Sequence, residues 1–297
     1  MKIEKFFLRH DKLYNFLVDT KLNIPYKYIL GLLGGNNKNL NAKPLKRDVV
    51  IQIMGFKMKL KAGDMHDLYF YELYKSKQIY EPGITDYITK SLHKGNIFID
   101  VGANNGYYSL LASKLVGNDG LVYAVEPDPN NFKKLKDNIK LNKSKNIIPL
   151  QIAASDYSGW ANLNISEIEN GLNSFVNIPS SKVKIKVKVE KLDNLIKKAD
   201  IIKIDVEGYE KKVLLGARKL LNESIQRVIF EYNHSLIYYG DRDYNGAIDI
   251  LRSNGFKLFQ IHDTKPYINY NMEIKSNADL DTFFTNILAI KTKKQRN

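Results

Sequence analysis

The period of apolar and polar positions changes along this chain in a way that lays out its elements. The run Asn96-Ile97-Phe98-Ile99-Asp100-Val101 is long enough for a strand and too short for a helix. It enters Gly102-Ala103-Asn104-Asn105-Gly106, after which Tyr108, Leu111, Ala112 and Leu115 recur at helical spacing. Strand, glycine turn and helix are therefore predicted around this point, and the alternation then repeats. Residues 121–125 predict a second strand ending in Glu126-Pro127-Asp128, and 130–141 a helix with Phe132, Leu135 and Ile139 on one face. Residues 147–153 predict a third strand, ending in Ala154-Ser155-Asp156. A fourth at 201–204 ends in Asp205-Val206-Glu207-Gly208, followed by a helix with Val213, Leu214, Ala217, Leu220 and Leu221 inward. A fifth at 227–230 leads into Glu231-Tyr232-Asn233-His234. Residues 247–253 read as helix, and 256–262 and 283–291 as the sixth and seventh strands. Strands alternating with helices predict an α/β fold built on a parallel, doubly wound sheet.

The flanks are less regular. Residues 1–45 predict one or two helices and a loop, with Phe6, Phe7, Tyr14, Phe16 and Leu17 as apolar surface and Gly34-Gly35-Asn36-Asn37 as a breaker. Residues 49–61 predict two short strands joined at Met54-Gly55; Phe56, Met58 and Leu60 share one face of the second. An aromatic-rich stretch at 67–80 and Glu81-Pro82-Gly83 precede a helix at 84–92. A polar stretch at 158–179 interrupts the rhythm. Residues 182–189 then alternate strictly, with Lys182, Lys184, Lys186 and Lys188 opposite Val183, Ile185, Val187 and Val189. An edge or half-exposed strand whose lysines deter edge-to-edge association explains this pattern, ahead of a polyanion-binding stripe.

Composition narrows the reading. A chain of 297 residues with 44% hydrophobic content fits one large domain, or one domain with a substantial extra segment. Cysteine is absent, which excludes disulfides, cysteine-ligated metal and a thiol nucleophile. No apolar run approaches the roughly 20 residues of a membrane span. Lys2, Glu4, Lys5, Arg9, Asp11 and Lys12 break up what would be the apolar core of a signal peptide, so a soluble, cytoplasmic protein is expected. The net charge of +14 suits an anionic partner, yet it is spread along a lysine-rich chain. Nucleic acid therefore ranks low as a partner, and peripheral membrane contact stays open.

Asp100, Glu126, Asp156, Asp205 and Glu231 lie at or just past the ends of successive strands, and a doubly wound sheet brings such ends to one rim. An acid closing the second strand can accept both hydroxyls of a ribose. A nicotinamide dinucleotide needs G-x-G-x-x-G to cradle its pyrophosphate, and here the middle glycine is missing. Asp100, directly before the turn, suits the ammonium and sulfonium of S-adenosylmethionine better than a pyrophosphate. A dehydrogenase thus falls behind a methyltransferase.

Ile99-Asp100-Val101-Gly102-Ala103-Asn104-Asn105-Gly106-Tyr107-Tyr108-Ser109, Ala124-Val125-Glu126-Pro127-Asp128 and Ile202-Lys203-Ile204-Asp205-Val206-Glu207-Gly208-Tyr209-Glu210 resemble the motifs of FkbM-family S-adenosylmethionine-dependent methyltransferases. Tyr80-Glu81-Pro82 and Ala153-Ala154-Ser155-Asp156 with Gly159 resemble that family too. The resemblance covers about residues 80–235. It implies a Rossmann-like class I fold, a seven-stranded, mostly parallel sheet with an antiparallel last strand, carrying an N-terminal helical and hairpin extension. The resemblance leaves the flanks to the pattern read above, which gives an extension at 1–80 expected to cap the substrate, a methyltransferase domain at 81–292 and a basic tail at 293–297. The resemblance puts the donor's methionine part near Asp100, Gly102, Asn104 and Gly106, and the ribose on Glu126. Asp128, Ala153 and Ala154, with Asp156 behind them, fall near the adenine, and Glu81 closes the site from the N-terminal side. The implied reaction is methylation of a hydroxyl on a sugar, glycolipid or other small molecule.

A hydroxyl acceptor gains from a base. Asp205 ends the fourth strand near the methyl group, Glu207, Glu210 and Glu231 share its rim, and His234 has the pKa suited to neutral pH. Asp205, Glu207, Glu231 and His234 could also take a divalent metal, a reading disfavoured because their spacing forms no compact ligand motif. The alternatives are an RNA 2′-O-methyltransferase and a non-catalytic module that binds nucleotide or anionic glycan.

Overall fold

The computed structural model describes residues 45–165, 173–176, 183–265, 267–280 and 284–292. The helices expected in 1–44, Lys182 and the basic tail at 293–297 lie outside the described residues. The chain opens with a hairpin, β1 (Val49–Ile53) and β2 (Phe56–Leu60), turned at Met54-Gly55. Two helices follow, α1 (Met65–Lys75) and α2 (Pro82–Ser91). Then come β3 (Ile97–Val101), α3 (Tyr107–Val116), β4 (Leu121–Val125), α4 (Pro129–Asn142) and β5 (Ile147–Leu150). A second, small sheet contains β6 (Ala153–Ala154), β7 (Gly159–Ile165) and β8 (Val183–Glu190). After the short α5 (Leu192–Leu195), the main sheet resumes with β9 (Ile201–Ile204), α6 (Glu210–Leu215), α7 (Arg218–Glu223) and β10 (Arg227–Asn233). It closes with α8 (His234–Tyr239), α9 (Gly246–Ser253), β11 (Phe256–Ile261), β12 (Ile268–Ile274) and β13 (Phe284–Lys291).

Among the described residues the main sheet has eight strands in the order β12-β11-β13-β10-β9-β3-β4-β5. Strands β10, β9, β3, β4 and β5 are parallel neighbours, and β13 runs antiparallel between β10 and β11. The order reverses outward from β3 and β9, so their carboxyl ends flank the switch point where α/β sheets take ligands. All four residues of β9 are buried, as expected of a strand covered on both faces. One apolar layer packs α2, α3 and the hairpin against one side of the sheet, and a second packs α6, α7 and α9 against the other.

Local chemistry sets the boundaries. Asp128 caps α4, its carboxylate accepting from the amides of Asn130 and Asn131 at 2.8 Å, and Pro129 begins the helix with its φ already fixed. Gly102 has φ +83°, and a Cβ there would lie 1.8 Å from the carbonyl oxygen of Asp205. Only glycine lets the first turn approach the end of β9 so closely.

Three elements differ from the sequence pattern. The third strand breaks after Leu150, and Ala153–Ala154 leave the main sheet to pair with β8. The polar stretch after residue 158 contains β7, whose regular pairing with β8 is a non-local contact. Residues 268–274 add an eighth strand, mostly exposed and antiparallel to β11. Strand β12 has no apolar run to announce it, because only its last residue, Ile274, is buried.

Candidate active site

The ends of β3, β4 and β9 meet, beside β6 and β7, over a groove of about 550 Å³ that opens to solvent. An adjoining groove of about 470 Å³ shares Gly102, Asn104, Asp205 and Glu207 with it. The cleft is thus continuous across the glycine turn.

Glu126 follows β4 and is 5% exposed. The amide of Asn104 donates to one carboxylate oxygen at 2.8 Å and that of Asp128 to the other at 2.9 Å. Burial, only partly offset by those amides, pushes its pKa up to about 7. Asp100 is 1% exposed; Ser109 Oγ donates to Oδ2 at 2.6 Å, and Oδ1 has no partner. Burial raises its pKa as well. An acceptor left unpaired at such depth is costly unless something fills it. An ammonium or sulfonium is the chemistry that would, and Glu126 offers the paired acceptor a ribose requires, so these residues fit S-adenosylmethionine.

Lys203 was not singled out by the sequence pattern, although a lysine within Ile201-Ile202-Lys203-Ile204 is itself a signal. It is paired in register with Asp100 across β3 and β9 and is buried. Its Nζ donates to Asp205 Oδ2 at 2.8 Å and lies 4.7 Å from the ring centroid of Tyr108. Burial alone would lower its pKa; the carboxylates of Asp205, Glu81 and Asp100 outweigh it and hold the ammonium charged.

The loop after β9 is fixed from both sides. Glu207 adopts φ +54° and Gly208 φ +93°. Ser174 Oγ donates to the Glu207 carbonyl at 2.6 Å, while Glu210 Oε1 accepts from the amides of Gly208 at 3.1 Å and Val206 at 3.3 Å. A left-handed glutamate at a cleft is a small store of backbone strain, tolerated because its surroundings fix it. Asp205, Glu207 and Glu231 each offer a carboxylate oxygen within 4.8 Å of the others, a spacing that one divalent cation could share.

Of the residues anticipated from sequence, Gly102, Asn104, Glu126, Ala153, Ala154, Asp205 and Glu207 line the first groove, and Asp100 the second. Asp128 caps α4 at the groove's edge and receives Asn173 Nδ2 at 3.3 Å. Glu81 adopts φ +41° and accepts from Tyr108 OH at 2.8 Å. Gly106 does not line the cleft; a Cβ there would meet Leu135 Cδ1 at 2.7 Å, so it serves helix packing. Asp156 lies outside the cleft and pairs with Lys212 at 2.9 Å. His234 stacks its ring on Tyr244 with centroids 4.2 Å apart, and it lines neither groove.

Phe175 and Tyr209, their ring centroids 5.0 Å apart, add aromatic walls beside Ala153 and Ala154. Tyr80 and Tyr107 belong to an aromatic block around the second groove, which gives the aromatic-rich stretch before Glu81 its place. Sequence reasoning missed these walls because aromatic side chains far apart in sequence carry no local mark of convergence.

The family profile described as the methyltransferase FkbM domain matches residues 100–258, more than half of the chain. The hexuronic acid methyltransferase AglP of Haloferax volcanii is 23% identical over 198 residues, which span 65% of this chain and 77% of AglP. Among solved structures, an FkbM methyltransferase from Methylobacillus flagellatus KT has 15% identity and a TM-score of 0.43, covering 69% of this chain and 50% of its own. TYW2 of M. jannaschii in complex with AdoMet has 15% identity and a TM-score of 0.40, covering 84% and 87%. With its motifs at the strand ends and its glycine turn beside the acids, this chain belongs to the FkbM methyltransferase family.

Proposed function

We infer that this methyltransferase moves a methyl group from S-adenosylmethionine to an oxygen of a sugar or sugar-bearing acceptor. The observation that carries the donor reading is the pair of buried carboxylates at the ends of adjacent strands: Glu126 held open by two amides, and Asp100 with an unpartnered oxygen. The sugar reading draws on the likeness to the hexuronic acid methyltransferase AglP. When bound, the donor supplies an already activated methyl, so the protein's task is to position an acceptor oxygen and take its proton. Asp205 is the base in this reading, with Lys203 fixing one of its oxygens at 2.8 Å. Glu207 shares its rim, and His234, stacked on Tyr244, is the weaker candidate. The extension up to residue 80 is assigned to acceptor selection; its described part, the β1–β2 hairpin and α1, packs beside the aromatic groove.

Calorimetric titration with S-adenosylmethionine tests the donor, and absence of heat would sink the reading. With galacturonate oligomers as acceptor, Asp205→Asn should lower kcat by about 100-fold to 10,000-fold while leaving donor affinity within a few-fold. An unchanged kcat removes Asp205 as the base.

A further inference from the structure

The β7–β8 hairpin has two faces of opposite character. Leu163, Val187 and Val189 are buried with Ala153, and Leu163 and Ala153 line the donor groove. On the opposite face stand Trp160 and Asn162 of β7 and Lys184, Lys186 and Lys188 of β8, all exposed. Register places Trp160 across from Lys188 and Asn162 across from Lys186, so these side chains form one platform. Trp160, the chain's single tryptophan, is 62% exposed, and Lys186 Nζ lies 5.4 Å from its ring centroid. Among the described residues no carboxylate lies within ion-pair distance of Lys186 or Lys188. The nearest acid along the strand, Glu190, feels the charge of Lys188 but is hydrogen-bonded by Ser158 and by Asn194 Nδ2 at 2.8 Å.

We propose that this platform binds the chain of an acidic, carboxylate-bearing glycan, anchoring the acceptor beside the cleft. The inference rests on the sugar-methylation reading and extends it. Charge makes the argument. The two grooves present Glu126, Asp100, Asp205 and Glu207, and the buried cation of the second, Lys203, is held by Asp205, so an acidic acceptor meets mostly negative charge there. The platform supplies that attraction on the far side of the same small sheet. Lysines on alternate residues of a strand recur about every 6.7 Å, a row of charges suited to a polymer that repeats its own. A flat indole gives a sugar ring an apolar surface to stack on while its N–H stays solvated. A lipid surface is the poorer match, since Trp160 is flanked across and along the strands by lysine and asparagine rather than by a contiguous apolar patch.

Because Trp160 is the single tryptophan, its emission reports occupancy directly. Titrating the full chain with tetragalacturonate should shift that emission saturably, with affinity falling as salt is raised. Lys186→Gln with Lys188→Gln should weaken binding by about tenfold, the scale of two exposed charge contacts. These surface substitutions should leave S-adenosylmethionine affinity unchanged. Equal binding of uncharged maltotetraose would overturn the charge argument. A shift with phosphatidylserine vesicles but none with tetragalacturonate would assign the face to membranes, and no shift with either would leave it without a ligand; each result refutes the proposal. If tetragalacturonate binds while calorimetry shows no binding of S-adenosylmethionine, the methyl-transfer reading fails and the platform stands.

Discussion

Donor affinity should depend on pH through Glu126. The carboxylate is buried and its pKa is pushed up to about 7. Only the ionised form can accept two ribose hydroxyls, so donor binding must deprotonate it. At pH 6, one unit below that value, about one molecule in eleven carries the charge; at pH 8 about ten in eleven do. The expected Kd for S-adenosylmethionine is therefore roughly tenfold weaker at pH 6 than at pH 8, about 1.4 kcal/mol. Calorimetry at both pH values, in buffers of different ionisation enthalpy, should count close to one proton released per donor at pH 6 and almost none at pH 8. Glu126→Gln keeps the shape, removes the charge and leaves one of the two amides, from Asn104 or Asp128, facing an NH2 group. It should weaken binding at pH 8 by about 1.5–3 kcal/mol, the range of hydrogen bonds to charged groups, and flatten the pH dependence. A Kd that stays level from pH 6 to 8 refutes the reasoning. A slope that survives Glu126→Gln would move the proton to Asp100, the other buried acid of the cleft whose pKa burial raises.

Glu210 offers a test on stability. Its pKa is raised by burial from 4.5 to about 7, so the folded state keeps a proton that the unfolded chain has lost, and stability falls as pH rises through that window. Glu210→Gln retains the oxygen that accepts from Val206 and Gly208. It should raise Tm at pH 8 by several degrees, up to about 3 kcal/mol, and change it little at pH 4.5; an equal shift at both pH values would contradict this. Gly102→Ala should cost roughly 3 kcal/mol or more in urea unfolding, because φ +83° and the Asp205 carbonyl leave no room for a methyl group, and native-like stability would show that the turn can relax.

The sequence by itself determined the parallel core and the donor end of the site. Buried parallel strands read as nearly continuous apolar runs, so Ile97–Val101, Leu121–Val125 and Ile201–Ile204 announce themselves despite Asp100 and Lys203. A turn that approaches another backbone must be glycine at Gly102, and an acid closing such a strand, as Glu126 and Asp205 do, reaches the shared rim whatever the strand order. Tertiary structure decided what depends on partners distant in the chain. Strand β7 is a strand only because β8 pairs with it, and β12 only because β11 does, since neither has a buried face long enough to set a period. Lys203 read as an interruption in an apolar run until register set it beside Asp100 and under Tyr108. His234, close in sequence to the rim, stacks on Tyr244 and lines neither groove. Local period reports which face is buried; which charges meet is fixed by strand order, and no local pattern encodes that.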